Sequence, residues 1–550
     1  MPKGNRKAYL IGAGIASLSA AVCLIKDGKF KGENIFVIEE TDEVGGSLDG
    51  QGSPETGYVA RGGRMFSEEV YSCTFDLFSQ IPLGGKSSKT LLDDFTEFNK
   101  KIKTNAQARL VQGGKIADPS IFNLSMSDGA GMIKIMSLPE AYLGQTKISD
   151  HFPPEFFKTN FWLEWCTTFA FEPWHSAVEF KRYILRFIQE LPRVSTMTGV
   201  RHTRYNQYES VTLPIVNWLK NHGVNFLMRS RVTDLKFIKN GQKEQVEKII
   251  YIQNKQKNKL VLGSNDLVFF TNGSMTTNST FGAMASAPRI NRQAPRDSWT
   301  LWQSLAKNRP HFGRPSVFCG HPDKTKWESF SVTFRNRIFS DLMKDFSQSK
   351  PGTGGLTTIK DSNWLLTLVT PPQPHFKNQP PEINVFWGYG LYPDRKGNYV
   401  QKKMSQCSGE EIMIEVCSHL GFVKHLPKII KSADCIPCLM PYITSQFMPR
   451  KKSDRPQVMP KGTKNFAFIG QFCEIPEEIV FTVEQSVRSA MIAVRGLLGI
   501  KKAVPPIYHG QYDPKVVKQL FQAGFDFGLK FMPNYRIDKN IIPVKKLSKH

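Results

Sequence analysis

The sequence has few cysteines, and they follow no disulfide-scaffold or zinc-site pattern. Nine cysteines are scattered through 550 residues. This odd number and wide spacing exclude a disulfide framework and favour a reducing compartment, so we predict a cytoplasmic protein. Cys435 and Cys438 form a lone CxxC pair. Because a structural zinc site needs four ligands, we predict no metal.

The chain is also short of acidic residues. It has 48 Asp and Glu against 73 Lys and Arg, a net charge of +25, which predicts attraction to polyanions. No helix-turn-helix, zinc-finger, RRM or KH signature accompanies this charge, which speaks against nucleic acid as a partner. We expect instead an acidic small substrate or an anionic membrane surface, with the protein peripheral at the inner membrane face.

Long uncharged runs are rare. Residues 8–25 form the one run that fits a signal peptide or a membrane span. Gly12 and Gly14 divide it into a short strand-like stretch and a helix of small residues beginning at Ile15. That division is typical of the opening of a Rossmann fold, which is the interpretation we adopt.

The glycine spacing after the first strand predicts a dinucleotide site. In the GxGxxS pattern, Gly12 permits the tight turn, Gly14 lets a pyrophosphate approach the backbone, and Ser17 stands where the helix packs on the strand. Glu39 ends the next strand-like stretch, where a carboxylate accepts hydrogen bonds from ribose hydroxyls.

Further segments point to FAD. The stretch Glu43-Val44-Gly45-Gly46-Ser47 is similar to the second signature of two-dinucleotide-binding flavoproteins, which favours FAD over NAD. Two later strand-like segments are expected to return to the cofactor, one ending at Asn272-Gly273-Ser274 and one with a turn at Gly470-Gln471.

At this length we expect two or three domains. We predict an α/β fold with a discontinuous Rossmann-like FAD-binding domain over residues 1–84, 216–300 and 446–500. An inserted α+β substrate domain is expected over 85–215 and 301–445, and a helical segment over 501–550. Apolar residues at i, i+4 spacing between 516 and 529 indicate either a core-packing helix or an interfacial membrane helix, followed by a basic run from 539.

Several long motifs carry a resemblance to a known family. These are IGAGIASLSAA, ARGGRMF, FAFEPWHSAVEFKRYILRF (169–187), RYNQYESVTLPIVNWLKNHGVNF (204–226), PPQPHF, VFWGYGLYPDRKGNYVQKKM (385–404) and MPYITSQFMPR (440–450). From about residue 7 to its C-terminus the chain resembles the oleate hydratases, FAD-containing fatty-acid hydratases also called myosin-cross-reactive antigens.

The resemblance implies addition of water to an isolated cis double bond, turning oleate into 10-hydroxystearate. The resemblance also implies that FAD is required and that the enzyme is most active with FADH2, although the reaction involves no net oxidation or reduction. An unactivated alkene must be protonated on one carbon while water attacks the other, so the site needs an acid and a water-orienting base. It also needs a dry tunnel that ends in polar groups for the carboxylate of an unsaturated free fatty acid.

The family pattern assigns roles to individual residues. Tyr183 would be the proton donor; its alternative is a tyrosine packed on a helix face. Gln207 and His375 match positions that bind the fatty-acid carboxylate. Known members carry Thr-x-Asn before that histidine, whereas this chain has Val369 and Pro371. Carboxylate binding must therefore be rearranged, with Thr370 or Arg204 as candidates.

The motif Arg61-Gly62-Gly63-Arg64 is expected beside the flavin, and known members follow it with a water-orienting glutamate. This chain has Met65, whose thioether cannot usefully accept a proton or hold a water. We interpret this as a subfamily trait, with Glu68 or Glu69 supplying the carboxylate unless both face solvent.

Two other functions stay open from the sequence. Without a water-orienting acid at Met65, the chain could be a double-bond isomerase of the same lineage. It could also be a non-catalytic FAD- and lipid-binding protein at a membrane. We expect a monomer or a homodimer.

Overall fold

The structure is a computed structural model that describes residues 6–61, 63, 65–84, 88–293 and 298–522. The predictions made for Gly62, Arg64 and the tail from 523 onward fall outside these ranges.

The described chain contains short helices between many strands. The strands are β1 (Ala8–Ile11), β2 (Ile35–Ile38), β3 (Gln51–Ser53), β4 (Gly57–Val59), β5 (Leu110–Gln112), β6 (Lys115–Ala117), β7 (Asn225–Leu227), β8 (Ser230–Asn240), β9 (Lys243–Gln253), β10 (Gln256–Val261), β11 (Leu267–Thr271), β12 (Thr280–Phe281), β13 (Trp327–Phe334), β14 (Thr357–Ile359), β15 (Leu366–Val369), β16 (Asn384–Gly390), β17 (Ala433–Met440) and β18 (Phe466–Ile469). The helices are α1 (Ile15–Lys26), α2 (Ser72–Ser79), α3 (Leu91–Lys101), α4 (Met126–Ser137), α5 (Glu140–Leu143), α6 (Asn160–Phe169), α7 (Ala177–Arg186), α8 (Leu213–Asn221), α9 (Ser298–Ala306), α10 (Ser316–Cys319), α11 (Pro322–Thr325), α12 (Ile338–Ser347), α13 (Gly409–His419), α14 (Leu426–Ser432), α15 (Val483–Leu498) and α16 (Pro514–Gln522).

A parallel sheet of five strands confirms the predicted Rossmann-like fold. Its order is β18-β11-β1-β2-β7, and each neighbouring pair is parallel. β1 is fully buried, as expected for a strand covered on both faces, and α1 packs against α15 beside the sheet. The strands come from parts of the chain far apart in sequence. The predicted domain boundaries themselves stay a prediction.

The opening run of the chain belongs to this sheet. Residues 8–11 form β1, and α1 buries its residues from Ile15 to Leu24, so the Rossmann interpretation of the uncharged run is confirmed. Among the described residues, every helix is too short or too polar to cross a bilayer.

A second, mostly antiparallel sheet of eight strands has the order β12-β17-β13-β16-β15-β14-β5-β6. On β13, Phe330, Val332 and Phe334 face an apolar cluster that includes residues of α12, α13 and α14. The alternate residues Ser331 and Thr333 accept hydrogen bonds from the backbone N–H groups of Ala60 and Tyr58, at 3.1 and 2.8 Å. The start of the RGGRM segment is therefore fixed to this sheet.

α7 and the turn after it lie at the centre of the molecule. Most residues of α7 are buried, and the helix continues into a 3₁₀ turn, Ile188–Arg193. α16 packs against this turn with Val516 and Leu520 buried in the main core. For residues 514–522 the structure therefore supports a core-packing helix over an interfacial one.

Candidate functional site

A cavity of about 490 Å³ lies at the carboxyl ends of the parallel strands, where α/β folds bind dinucleotides. Most of the predicted cofactor residues line it, namely Gly12, Gly14, Glu39, Gly45, Gly46, Ser47, Arg61, Gly273, Ser274, Gly470 and Gln471. We call it the dinucleotide cavity.

Its backbone fits a pyrophosphate. Gly12 has φ +93°, a backbone conformation that residues with a side chain rarely adopt. A Cβ added to Gly14 would meet no atom within 4 Å, so there is open space beside the backbone here. Gly46 lies close by, since its Cβ would stand 3.2 Å from Gly14 Cα. α1 begins here, and the N–H groups of a helix N-terminus bind phosphate.

The carboxylate of Glu39 is held in place by three hydrogen bonds. One carboxylate oxygen accepts the Ala13 N–H at 2.7 Å, and the other accepts the N–H and hydroxyl of Thr41, each at 3.0 Å. Because a carboxylate has about four acceptor positions, capacity remains for ribose hydroxyls.

Arg61 is paired within the protein. Its guanidinium lies 2.7 Å from Asp49 and also donates to the carbonyl of Gly46 at 3.1 Å. Sequence reasoning missed Asp49, which also lines the cavity. This ion pair fixes the glycine loop to the RGGRM segment.

Three predicted cofactor residues lie elsewhere. The Ser17 hydroxyl contacts the Thr271 hydroxyl at 3.0 Å, which is the helix-on-strand packing expected of the third glycine position. The Asn272 amide donates to the Phe472 carbonyl at 3.1 Å, so this residue is turned away from the cavity and fixes a strand end. Gly63 lines two other cavities. Their cofactor roles stay predictions.

A second cavity, of about 100 Å³, contains the predicted proton donor, and we call it the Tyr183 cavity. It is lined by Gly63, Met65, Phe66, Ser67, Tyr71, Thr168, Phe169, Tyr183, Phe187, Glu190, Arg193, Val194, Met197, Val200, Phe481 and Thr482. Among these described residues the only charged side chains are Glu190 and Arg193.

Tyr183 is 1% exposed, and its phenolic oxygen donates to the Val480 carbonyl at 2.6 Å. The rings of Phe169 and Phe171 meet its ring at 5.1 and 5.0 Å in edge-on contacts. The hydroxyl is thus positioned in aromatic surroundings that keep water away.

Buried ion pairs fix α7 on either side of this tyrosine. Arg182 lies 2.7 Å from Glu474, and Arg186 lies 3.1 Å from Glu478. Burial alone would raise the pKa of Glu474, but Arg450 and Arg182 outweigh burial and lower it. The helix is thereby fastened to the segment that contains Val480.

A third cavity, of about 40 Å³, brings together Gln207, Thr370 and His375, and we call it the polar cavity. His375 Nδ1 has no hydrogen-bond partner among the described residues. Burial, with a smaller contribution from His202, lowers the pKa of His375 to about 3, so its imidazole is neutral at physiological pH.

Other residues near the polar cavity were not predicted correctly or at all. Arg204, a candidate for binding the carboxylate, does not line it and instead lies 2.6 Å from Asp94. Gly352, Gly355 and Trp387 do line it and were missed, because only the folded chain brings them there.

Met65 and Gly63 line both the Tyr183 cavity and the polar cavity. A Cβ on Gly63 would lie 2.6 Å from the Trp387 ring, so the chain passes this ring too closely for any side chain there. Met65 is therefore the side chain shared by the two cavities.

The two acids proposed to replace the missing glutamate point elsewhere. Glu68 pairs with Arg201 at 2.9 Å, and its side chain is 64% exposed. Glu69 lies 3.6 Å from Arg193, and its side chain is 36% exposed. Neither lines the Tyr183 cavity, whereas Glu190 does. The catalytic roles of Tyr183, Met65, Glu68 and Glu69 stay predictions.

The CxxC cysteines are buried thiols of β17. Burial raises the pKa of Cys438 to about 12 and that of Cys435 well above its usual value, so neither is a ready thiolate. Within the described ranges no three His, Cys, Asp or Glu side chains are grouped so that they could hold a metal ion.

These features define an α/β protein with a parallel five-stranded sheet, a mostly antiparallel eight-stranded sheet, a dinucleotide cavity and two smaller cavities. The solved structure of cyclohexylamine oxidase from Brevibacterium oxydans IH-35A has the same fold, with a TM-score of 0.51 and 12% identity, over 90% of this chain and 99% of that one.

The chain belongs to the MCRA family, whose model matches residues 5–495. It is 38% identical to an oleate hydratase of Streptococcus pyogenes serotype M49 (strain NZ131), over 95% of this chain and 90% of that protein. It is 32% identical to a linoleate hydratase of Lactiplantibacillus plantarum, over 94% of this chain and 98% of that protein.

Proposed function

We propose that this chain is a fatty-acid hydratase that adds water to the cis-9 double bond of unsaturated fatty acids, converting oleate into 10-hydroxystearate. The observation that carries the proposal is that Met65 lines both the cavity of a buried phenol and a cavity lined by the polar side chains of Gln207, Thr370 and His375. The similarity to an oleate hydratase and a linoleate hydratase supports the same reaction class.

In this proposal Tyr183 protonates one alkene carbon. Its hydroxyl must first rotate away from the Val480 carbonyl, which accepts its hydrogen bond at 2.6 Å. A phenol with an ordinary pKa of about 10 is a weak acid, so protonation depends on a dry, preorganised cavity in which positive charge develops on the alkene.

The polar cavity would bind the fatty-acid carboxylate through hydrogen bonds from neutral groups. Gln207, Thr370 and His375 each have a donor for a carboxylate oxygen, and the imidazole stays neutral because burial lowers its pKa. None of the described residues that line this cavity is Lys or Arg.

Substrate entry requires the two small cavities to join. Their volumes, about 100 and about 40 Å³, are below the roughly 300–1,000 Å³ usual for ligand sites. Met65 lines both, and methionine adapts its shape readily because its side chain is unbranched. We propose that displacement of Met65 opens one channel for the acyl chain.

FAD is the cofactor that the dinucleotide cavity would hold, with Gly12 and Gly14 at the pyrophosphate and Glu39 at the ribose. FAD, when bound, would neither gain nor lose electrons overall, because the addition of water to an alkene involves no net oxidation or reduction. We propose that the protein is most active when its flavin is reduced.

The test is mass spectrometry of products from a panel of unsaturated fatty acids, with oxidised and with reduced flavin. We expect hydroxy fatty acids from cis-9 substrates, without net consumption of reductant. No hydroxy product from any cis-9 acid in either flavin state would reject the hydratase.

A double-bond isomerase is the second candidate, favoured by Met65 at the position where a carboxylate would hold the water. It predicts conjugated-diene absorbance from linoleate without a hydroxyl product. A non-catalytic FAD- and lipid-binding protein is the third candidate. It predicts liposome binding that survives Tyr183→Phe and no product at all.

We also propose that the protein is cytoplasmic and peripheral at the inner membrane face. The net charge of +25 supports attraction to anionic lipid. Co-flotation with anionic vesicles that weakens with salt is expected, and equal binding to neutral vesicles would contradict it. Light scattering would distinguish the proposed monomer from the homodimer.

A further inference from the structure

The reaction proposed above needs a group that holds the attacking water, and Met65 cannot be that group. Within the Tyr183 cavity the described lining offers one carboxylate, that of Glu190. This residue follows Tyr183 by seven positions, in the 3₁₀ turn that continues α7. It is 8% exposed, so its side chain is largely withdrawn from bulk water.

The carboxylate of Glu190 is held in place on several sides. Arg193 Nε donates to one oxygen at 2.7 Å and Arg193 Nη2 to the other at 2.8 Å. The Ser67 hydroxyl lies 3.0 Å from the second oxygen, and its one proton is shared with Glu69 at 3.1 Å. Since Ser67 is two residues after Met65, this contact joins Glu190 to the RGGRM segment.

The packing around Gly199 shows how closely this carboxylate is confined. A Cβ on Gly199 would lie 1.9 Å from Glu190 Oε2 and 2.5 Å from Arg193 Nε. The chain therefore requires glycine at this position while the Glu190–Arg193 pair stays as it is.

Glu190 keeps acceptor capacity beyond these contacts. A carboxylate offers about four acceptor positions on its two oxygens, and the donors from Arg193 and Ser67 occupy three. The remaining position is on Oε2, which accepts only from Arg193 Nε among the described donors.

We propose that Glu190 is the carboxylate that orients the attacking water in this chain. The Tyr183 proton forms the new C–H bond with the electron pair of the alkene, and the water oxygen forms the C–O bond to the other carbon. The proton that the water loses passes to Glu190 and returns to the Tyr183 oxygen before the next turnover. Nothing is oxidised or reduced. This proposal rests on the hydratase function.

The first experiment compares Glu190→Gln with Glu140→Gln in the FAD-loaded full chain. Glu140 also pairs with an arginine through both carboxylate oxygens, at 2.7 Å each to Arg182, but it lines neither the Tyr183 cavity nor the polar cavity. We expect Glu190→Gln to lower kcat by about 100-fold or more, within the range of a lost acid–base group, with unchanged flavin content. Glu140→Gln should stay within about twofold of the parent. Equal losses in both variants, or none in either, would overturn the proposal.

The second experiment asks whether the role can be moved to another residue in the same cavity. The double variant Met65→Glu/Glu190→Gln places a carboxylate at the position that Met65 occupies, and we expect it to regain at least about tenfold of the lost kcat. If Glu190 had only a structural role, kcat would not recover in this variant. An absence of recovery would therefore overturn the proposal.

Glu190→Asp serves if the glutamine variant does not fold. It keeps the charge opposite Arg193 but withdraws the carboxylate by one methylene, and we expect a loss of kcat of about tenfold or more with unchanged flavin absorbance. Unchanged kcat would overturn the proposal. If the parent protein itself makes no hydroxy product, the hydratase function has failed and not the assignment of Glu190.

Discussion

The phenolic oxygen of Tyr183 donates a 2.6 Å hydrogen bond to the backbone carbonyl of Val480. The next two residues, Phe481 and Thr482, line the Tyr183 cavity. Both are hydrogen-bonded to Gln471, which lines the dinucleotide cavity. One short segment therefore contacts both the cofactor site and the proposed acid. In the proposed reaction, this segment links the bound cofactor to the proton donor.

Removal of the Tyr183 hydroxyl should abolish most turnover. Tyr183→Phe removes the hydroxyl that donates the proton in the proposed reaction, so we expect kcat to fall by about 100- to 10,000-fold while FAD stays bound. Hydroxy-acid formation and flavin absorbance measure the two effects.

Tyr58→Phe is the matched control, because its hydroxyl also donates to a backbone carbonyl, that of Asn378 at 3.1 Å, from a buried ring. Both variants should lose about 1 kcal/mol of stability with the hydrogen bond. Turnover retained in Tyr183→Phe would remove this residue from the acid role.

An acid at position 65 should alter catalysis, since Met65 lines both the Tyr183 cavity and the polar cavity. We expect Met65→Glu to change kcat or its dependence on reduced flavin, because a carboxylate there can hold a water. Met65→Gln is the control of similar size without a basic oxygen. If all three proteins behave alike with both flavin states, position 65 does not contact the reacting water.

Gln471 should couple the cofactor site to the Tyr183 cavity. Its amide accepts the Phe481 N–H at 2.5 Å and donates to the Thr482 carbonyl at 2.7 Å. Gln471→Leu removes both hydrogen bonds, and the loss of each costs about 0.5–1.5 kcal/mol. We expect lower flavin affinity and lower kcat, measured by flavin titration and turnover.

Gln485→Leu is its control, because the Gln485 amide also donates to a backbone carbonyl, that of Cys473 at 2.9 Å, but Gln485 lines neither cavity. A similar loss of Tm with unchanged kcat is expected. Equal kinetic defects in both variants would show general destabilisation instead of coupling.

His375 makes the stability pH-dependent in a defined direction. Burial lowers its pKa from 6.5 to about 3, so between these values the unfolded chain binds a proton that the folded chain does not. The free energy of unfolding should therefore fall as the pH drops from about 6.5 to about 3. In His375→Gln the free energy of unfolding should fall less steeply with pH, by a slope equivalent to up to about one proton taken up on unfolding. Denaturant titrations at several pH values measure this slope. Parallel curves would contradict this burial.

The Rossmann part of the fold was predictable because its signals are local. Glycine spacing indicates the turn at Gly12, and the apolar runs of β1 and β11 between turn signals are typical of buried strands. Glu39, Gly45 and Gly46, which the same signals select, line the dinucleotide cavity, and their cofactor roles stay predictions.

The catalytic surroundings were less predictable because they depend on packing between distant segments. Ser67 and Glu190 are 123 positions apart in sequence yet share a hydrogen bond, and no spacing rule brings such a pair together. Asn272 was predicted from its place at a strand end, but its side chain turns to the Phe472 carbonyl because a buried amide needs a partner.

The most direct test of the hydratase proposal is turnover of oleate in water labelled with oxygen-18, followed by mass spectrometry of the product. We predict 10-hydroxystearate whose hydroxyl oxygen is labelled, without net use of reductant. We also predict that Tyr183→Phe loses this product. An unlabelled hydroxyl, a shifted double bond without a hydroxyl, or unaltered product from Tyr183→Phe would contradict it.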